Sequence, residues 1–149
     1  MFTPVDPDFK ARVRSSFERQ QLMRTLNVSL VRVNAGKVEL ELKYQETLTQ
    51  QHGFLHAGIV ASVLDSACGY AAFSLMPKDR AVLTIEYKVN FVSPARGDSV
   101  IAVGEVLKSG ATITVCSGNA YSTEGQSRKL VASMQSSVMA VEQRPGVTW

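Results

Sequence analysis

The chain has 149 residues, of which 45% are hydrophobic and 19% are charged, and its formal net charge is +3. This length and composition suit one folded domain and exclude a disordered chain. The basic residues are scattered rather than gathered in a dense patch, so nucleic acid is not expected as a partner. Residues 1–149 are therefore predicted to form a single domain, in which residues 1–7 are expected to be flexible.

The N-terminal segment predicts a short surface helix. Asp6 offers an N-cap and Pro7 suits the first helical position, while apolar residues recur every four positions from Phe9 to Phe17. We expect this helix to end near Met23. The segment lacks the basic run and apolar core of a secretory signal, which favours a cytoplasmic location.

The next stretch, "VSLVRVNAGKVELELKY", predicts a β-hairpin that turns at Asn34-Ala35-Gly36. From Lys37 to Tyr44 charged and apolar residues alternate without a break. One face of this hairpin is therefore expected to be buried and the other to meet water.

A long apolar segment, from Phe54 to Met76, follows the hairpin. It has no period-two pattern and is apolar nearly all round, which predicts a buried helix that Pro77 ends. Although the segment is long enough to cross a membrane, Asp65 at its centre would cost about 3 kcal/mol in hydrocarbon. No membrane span is expected.

Four β-rich runs follow Pro77, separated by short turns: "AVLTIEYKVNFV", "DSVIAVGEVL", "ATITVCSGNAYS" and "SRKLVASMQSSVMAV". Short turns favour antiparallel neighbours. The sequence thus predicts an α+β fold, in which an antiparallel sheet of five to six strands wraps around one long central helix. Such a sheet leaves an edge strand open, so a homo-oligomer is expected. Cys68 and Cys116 lack metal or redox spacing and are interpreted as reduced, packed thiols.

The acid in the apolar segment leaves two interpretations open. On a helical projection Asp65 shares one side with small residues, which are Gly58, Ala61, Ser62, Gly69 and Ala72. Small side chains let a ligand approach, so Asp65 could line a narrow cleft. Alternatively, it is a structural acid that accepts hydrogen bonds from a neighbouring serine.

The start of the predicted helix is a second candidate feature. Gly53, His56 and Gly58 lie where the first helical N–H groups lack intrahelical partners, a position that favours an anion or a polarised carbonyl oxygen. Nine residues separate His56 from Asp65, about 13 Å along a helix. A symmetric dimer could bring the acid of one subunit to the helix start of the other.

Two motifs carry a resemblance to a known family: His56-Ala57-Gly58 followed by Asp65, and the strand "LTIEYKVNFVSPARGD". They resemble hotdog-fold acyl-CoA thioesterases, above all the phenylacetate-degradation subgroup, and the resemblance extends from about Val28 to Val141. It implies a homodimer, or a dimer of dimers, that hydrolyses small to medium aliphatic or aromatic acyl-CoAs. No metal or organic cofactor is implied, and coenzyme A enters as part of the substrate.

The resemblance also implies catalytic roles. Asp65 would act as general base or nucleophile, the Ala57 N–H would stabilise the oxyanion, and His56 would orient the site. Thr84 would hold the attacking water. Gln50 stands where the subgroup commonly has Asn, and Ala57 replaces a Gly.

Substrate contacts are implied at five positions, namely Gly58, Asn90, Arg96, Lys108 and Arg128. The basic residues among them, with Lys129 beside Arg128, suit the phosphates of coenzyme A, although each also fits a solvated surface charge. Apolar residues of the long segment could line the acyl pocket, namely Phe54, Leu55, Tyr70, Phe73 and Met76. They do not distinguish an aromatic acyl group from an aliphatic one.

Two other functions remain open at this point. The fold could serve as a non-catalytic module that binds acyl-CoA or lipid. It could also be a hydratase or dehydratase, for which His56 and Asp65 would supply an acid–base pair, but the helix-start pattern of that family is missing.

Overall fold

The computed structural model describes residues 2–142 and residue 145. Two short helices come first, α1 (Phe9–Arg19) and α2 (Gln21–Thr25), and they are followed by the hairpin of β1 (Val28–Asn34) and β2 (Lys37–Lys43). A 3-10 turn (Glu46–Leu48) leads to the central helix α3 (Ala57–Phe73). The remaining strands are β3 (Arg80–Phe91), β4 (Ser99–Lys108), β5 (Ile113–Glu124) and β6 (Ser127–Glu142).

The six strands form one antiparallel sheet in the order β1-β2-β4-β5-β6-β3, and it wraps around α3. Across its centre Leu40, Ala102, Ala120 and Ala132 stand in register, and all four are fully buried. On β4, a Cβ at Gly104 would lie 2.3 Å from the backbone of Ala67, so the helix rests directly on the strand. The predicted α+β architecture is confirmed.

The predicted N-terminal helix is wrong in its length. It ends at Arg19, because Gln20 adopts an extended backbone (φ −75°, ψ 102°), and α2 then starts in a new direction. The break has a packing reason: Met23 and Leu26 are both buried in the core after it.

The expectation that short turns join neighbouring strands holds for β1–β2, β4–β5 and β5–β6, but it is wrong for β3 and β4. Strand β3 pairs with β6 at the far edge of the sheet. Residues 92–98 cross the ends of β6 and β5, where Val92 N–H donates to the Val131 carbonyl and Asp98 N–H donates to that of Thr123 (2.9 and 2.7 Å). These hydrogen bonds give partners to backbone groups of a connection that lies outside the strand pairing.

The C-terminal end of α3 is held by α1. The Arg12 guanidinium donates to the carbonyls of Phe73, Met76 and Pro77 (3.1, 2.6 and 2.8 Å) and pairs with Asp6 at 3.0 Å. A cation at a helix C-terminus opposes the negative end of its dipole. Helix α1 is thereby fixed against α3. Flexibility of residues 1–7 stays a prediction, and within that range Asp6 is buried.

Within residues 2–142 and 145, no helix has both the length and the apolar character needed to cross a membrane. Cys68 and Cys116 are free thiols packed in the core, as predicted. Burial raises the pKa of Cys116 to about 12, so this thiol stays protonated at neutral pH.

Candidate active site

The start of α3 presents one unused backbone donor. His56 is the N-cap, and its Nδ1 accepts a hydrogen bond from Gly58 N–H at 3.0 Å. The His56 carbonyl accepts from Ile59 N–H at 3.0 Å. Among the described residues, nothing accepts a hydrogen bond from Ala57 N–H. This N–H lies at the positive end of a 17-residue helix, where an oxyanion is stabilised.

The role of His56 follows from the same bond. Because Nδ1 accepts, the ring proton of the neutral imidazole is assigned to Nε2. His56 therefore caps the helix by accepting the hydrogen bond of the Gly58 N–H. The N–H of Ala57 is then the donor that faces outward.

The loop before α3 is fixed by backbone hydrogen bonds. His56 N–H donates to the Leu48 carbonyl, and Leu55 N–H donates to the Ala95 carbonyl, both at 2.9 Å. The Gln50 side-chain oxygen accepts from His52 N–H. Gln50 and Ala57 line the same cleft of about 390 Å³.

Asp65 lies two turns further along α3 and is partly buried. Thr84 on β3 donates a hydrogen bond from Oγ1 to Asp65 Oδ1 at 2.7 Å. Burial raises the pKa of Asp65, and the bond from Thr84 acts in the opposite direction. A carboxylate with a raised pKa accepts a proton more readily than an ordinary one, which suits a general base.

The acid and the donors do not meet within one chain. Eight residues separate Ala57 from Asp65, about 12 Å along the helix. Asp65 and Thr84 line a cavity of about 170 Å³, which shares no lining residue with the cleft of Gln50 and Ala57. The distance between Asp65 and the helix start that the sequence predicts is therefore also present in the folded chain.

The structure brings some of the predicted basic residues together. Arg96, Arg128 and Lys129 line a cleft of about 550 Å³. This basic cleft adjoins the Ala57 cleft, since Phe54 and Pro94 line both.

Lys108 is not part of the basic cleft. Thr123, which lines the cleft, pairs with Ser99 at the start of β4, whereas Lys108 ends that strand. Nine residues of strand separate the two ends, about 30 Å.

Other predicted contacts are distributed over both faces of the sheet. On β3, Phe91 pairs with the buried Ala132, while Asn90 pairs with Ser133 and so points to the outer face, away from α3.

Among the apolar candidates, Phe54 and Leu55 line the Ala57 cleft, whereas Tyr70 and Phe73 line the Asp65 cavity. Met76 is buried and lines neither.

The sequence did not reveal the residues at the end of α1 that line the Asp65 cavity. Ser16 and Gln20 line this cavity, and the Gln20 amide oxygen accepts a weak hydrogen bond from Ser66 at 3.4 Å. No sequence signal could have found them, because their position depends on the break at Gln20 and on the packing of α1. Within residues 2–142 and 145, no cluster of three or more metal-ligating side chains occurs.

Known proteins with similar sequences or structures identify the family of the chain. A family model described as the thioesterase superfamily matches residues 52–129, which include the start of α3, Asp65 and Thr84. A solved thioesterase family protein from Silicibacter pomeroyi is 49% identical with a TM-score of 0.89, over 91% of this chain and 99% of that one. Human acyl-coenzyme A thioesterase 13 is 29% identical over 93 residues, which are 60% of this chain and 64% of that protein.

A third similarity concerns the fold. The Escherichia coli PaaI protein, from the phenylacetic acid degradation operon, has a TM-score of 0.81 at 18% identity, covering 90% of this chain and 94% of that one. The family-model match spans more than half of the chain, and the sheet wrapped around α3 is the hotdog arrangement. The chain therefore belongs to the thioesterase superfamily and is a thioester hydrolase with a hotdog fold.

Proposed function

We propose that the chain hydrolyses small to medium acyl-CoAs in a site that two subunits share. The observation that carries this proposal is the division of the chemistry along α3. The helix start offers an unused N–H at Ala57, whereas the partly buried acid, Asp65, lies about 12 Å away in another cavity. A second copy of the chain is needed to place both against one carbonyl group.

The exposed edge of β3 supports this arrangement. Thr84 contacts Asp65 in the first half of the strand, and Phe91 lines the Ala57 cleft at its C-terminal end. If two β3 edges pair antiparallel about a twofold axis near Tyr87 and Lys88, Thr84 of each subunit lies beside Phe91 of the other. Asp65 then faces the partner subunit's Ala57. Association of two such dimers stays a prediction.

The chemistry follows from this placement. Asp65 takes a proton from water as the water oxygen adds to the thioester carbon. The resulting oxyanion is stabilised by the N–H of Ala57 and the amide of Gln50 in the partner subunit. Collapse of this intermediate breaks the carbon–sulfur bond, and the departing thiolate receives the proton from Asp65.

A nucleophilic role for Asp65 is the second mechanism. The carboxylate would then add to the carbonyl carbon and expel the thiolate, and water would cleave the resulting anhydride at the carboxyl carbon of Asp65. A single turnover in water labelled with heavy oxygen distinguishes the two. Label in the released acid indicates the general base, whereas label in Asp65 indicates the nucleophile.

The coenzyme is proposed to lie in the basic cleft. Arg96, Arg128 and Lys129 can pair with its phosphates, and the pantetheine arm can pass Phe54 and Pro94 to reach Ala57. Gly58 supports the helix start, since its N–H holds the His56 side chain. Lys108 lies outside this path, and Asn90 points away from it.

The direct test is thiol release from a panel of acyl-CoAs, both straight-chain and aromatic, by the purified chain and by Asp65→Asn. We expect hydrolysis by the wild type and a large loss in the variant. Binding without cleavage would indicate a binding module instead. Water addition to an enoyl-CoA would indicate a hydratase.

Two expectations from the sequence stay predictions. Activity should survive exhaustive treatment with a chelator, because no step above needs a metal or an organic cofactor. The protein should be found in the cytoplasmic fraction of its cell.

A further inference from the structure

Gly69 is a glycine of α3 that no packing contact explains. Apart from the backbone of its own helix, a Cβ built at Gly69 meets no heavy atom of residues 2–142 and 145 within 4 Å, although the residue is buried. By contrast, a Cβ at Gly104 would clash with the backbone of Ala67, and one at Gly118 would lie 2.8 Å from Cys68 Sγ. Those two glycines are needed for close packing of the helix on the sheet, and Gly69 is not.

The backbone conformation does not require Gly69 either. It is helical, and it is absent from the described glycines with positive φ, which are Gly36, Gly53, Gly97 and Gly125. Glycine within a helix is less stable than alanine. Gly69 therefore makes α3 less stable than alanine would, and neither packing nor backbone conformation requires it.

Gly69 lies one helical turn after Asp65, and both line the cavity of about 170 Å³. The space that its missing side chain leaves is thus continuous with the space beside the acid. Tyr70 and Phe73 of α3 line this cavity, as do Ser16 and Gln20 of the N-terminal segment.

We propose that Gly69 sets the size of the acyl group, by leaving open the cavity into which that group extends from Asp65. This inference rests on the proposed function, in which the coenzyme arm leaves the carbonyl past Phe54 and Pro94 of the partner subunit. The acyl group then leaves on the other side, toward Gly69. A cavity of about 150 Å³ can hold a benzene molecule. The substrates are therefore acyl groups of about one six-membered ring, or an aliphatic chain of about six carbons.

The test compares Gly69→Ala and Gly69→Val with the wild type on propionyl-CoA, hexanoyl-CoA and phenylacetyl-CoA. We expect kcat/KM for the two larger substrates to fall about 10-fold in Gly69→Ala and about 100-fold in Gly69→Val, because a filled pocket discriminates by this order per carbon group. For propionyl-CoA it should stay within about threefold. The Tm of Gly69→Ala should rise by about 2 to 4 °C, since alanine stabilises the helix.

Ala11→Leu is the matched control, because it adds the same three carbons as Gly69→Val on the exposed face of α1. It should leave the ratio of hexanoyl-CoA to propionyl-CoA hydrolysis unchanged. An equally unchanged ratio in Gly69→Val, or an equal loss for all three substrates, overturns the inference.

Calorimetric binding of hexanoyl-CoA and propionyl-CoA separates this inference from the proposed function. If the wild type hydrolyses neither compound but Gly69→Val loses binding of hexanoyl-CoA alone, the catalytic proposal fails and the cavity assignment stands. If hydrolysis is normal and neither binding nor rate shows a size effect, the cavity assignment fails alone. If neither compound is hydrolysed or bound, both fail.

Discussion

The two edge strands of the sheet differ in how far the rest of the chain covers them. At one edge β1 is contacted by α1 and α2, so the chain covers part of this strand with its own N-terminal segment. At the other edge β3 pairs, within the described part of the chain, only with β6, and it leaves Leu83, Ile85 and Tyr87 between 45% and 54% exposed. An exposed apolar edge strand is a site for pairing with another chain.

This difference supports the proposal that a second subunit completes the active site at the β3 edge. Thr84, on the open edge, holds Asp65, while no candidate catalytic residue lies on β1. The helices that cover β1 have a different task, since α1 also walls the cavity beside Asp65. We therefore expect changes at the β3 edge to affect assembly and catalysis together. Changes to exposed residues beside β1 that lie outside the Asp65 cavity should affect neither.

The largest effect is expected from charges on the open edge. The double variant Ile85→Lys/Tyr87→Lys should convert the proposed dimer to a monomer and lower kcat/KM about 10⁴-fold, because the proposed base and oxyanion donors are then separated. Light scattering and thiol release measure the two effects. The control, Leu22→Lys/Val31→Lys, changes similarly exposed residues beside the β1 edge and should alter neither. A fully active monomer would contradict the shared site.

Asp65→Asn should lower kcat by about 10² to 10⁴, the contribution of a positioned base. The difference in stability between this variant and the wild type should also depend on pH. Because burial raises the pKa of Asp65, its ionised form destabilises the fold above that pKa. The Tm of the variant should therefore exceed that of the wild type at neutral pH. The difference should vanish as the pH falls below the ordinary pKa of aspartate.

Ala57→Pro tests the oxyanion donor with little effect on the fold. Proline removes the N–H, and it is favoured at the first helical position. The preceding residue, His56, already has the extended backbone that proline requires (φ −60°, ψ 136°). We expect kcat to fall about 10² to 10³-fold with an unchanged Tm. An unaffected kcat would remove Ala57 from the mechanism.

Co-expression of Ala57→Pro with Asp65→Asn sharpens the comparison further. In a mixed dimer with sites between subunits, one site carries both changes and the other carries none. Half of a random mixture is mixed dimer, so about a quarter of the wild-type activity should return. If no activity returns in purified mixed dimers, the two residues do not act across the interface.

A smaller effect is expected in the basic cleft. Arg96→Ala should raise KM for an acyl-CoA about 10-fold and leave kcat nearly unchanged, because the phosphates bind equally in the ground and transition states. The matching change Lys108→Ala, at the far end of β4, should leave KM unchanged. Equal effects of the two variants would indicate general charge attraction rather than a site.

The smallest effect is expected at Thr84, and it is a shift in pH dependence. Activity should fall as acid protonates Asp65. Thr84 lowers the pKa of Asp65, so Thr84→Val should move this acidic limb to higher pH. Thr84→Ser keeps the hydroxyl and should restore the wild-type limb. A pH profile of kcat that is identical in all three proteins would exclude the proposed role of Thr84.

The strand pattern and the central helix could be predicted from the sequence, because local periodicity determined them. Alternation from Lys37 to Tyr44 and the apolar run around Asp65 each match the observed elements. The resemblance at the helix start likewise pointed to His56 and Ala57, and the structure adds that His56 is the N-cap.

Strand order, the break at Gln20 and the walls of the cavities were decided by tertiary structure. The place of β3 beside β6 depends on long-range pairing, and residues 92–98 have no local pattern that reveals it. The same pairing joins Thr84 to Asp65, and the packing of α1 places Gln20 in the wall of the Asp65 cavity. The sequence by itself thus determined which residues are candidates for the chemistry, since residue type and spacing are local properties. Only the fold decided which of them share a cavity, since that depends on contacts between distant segments.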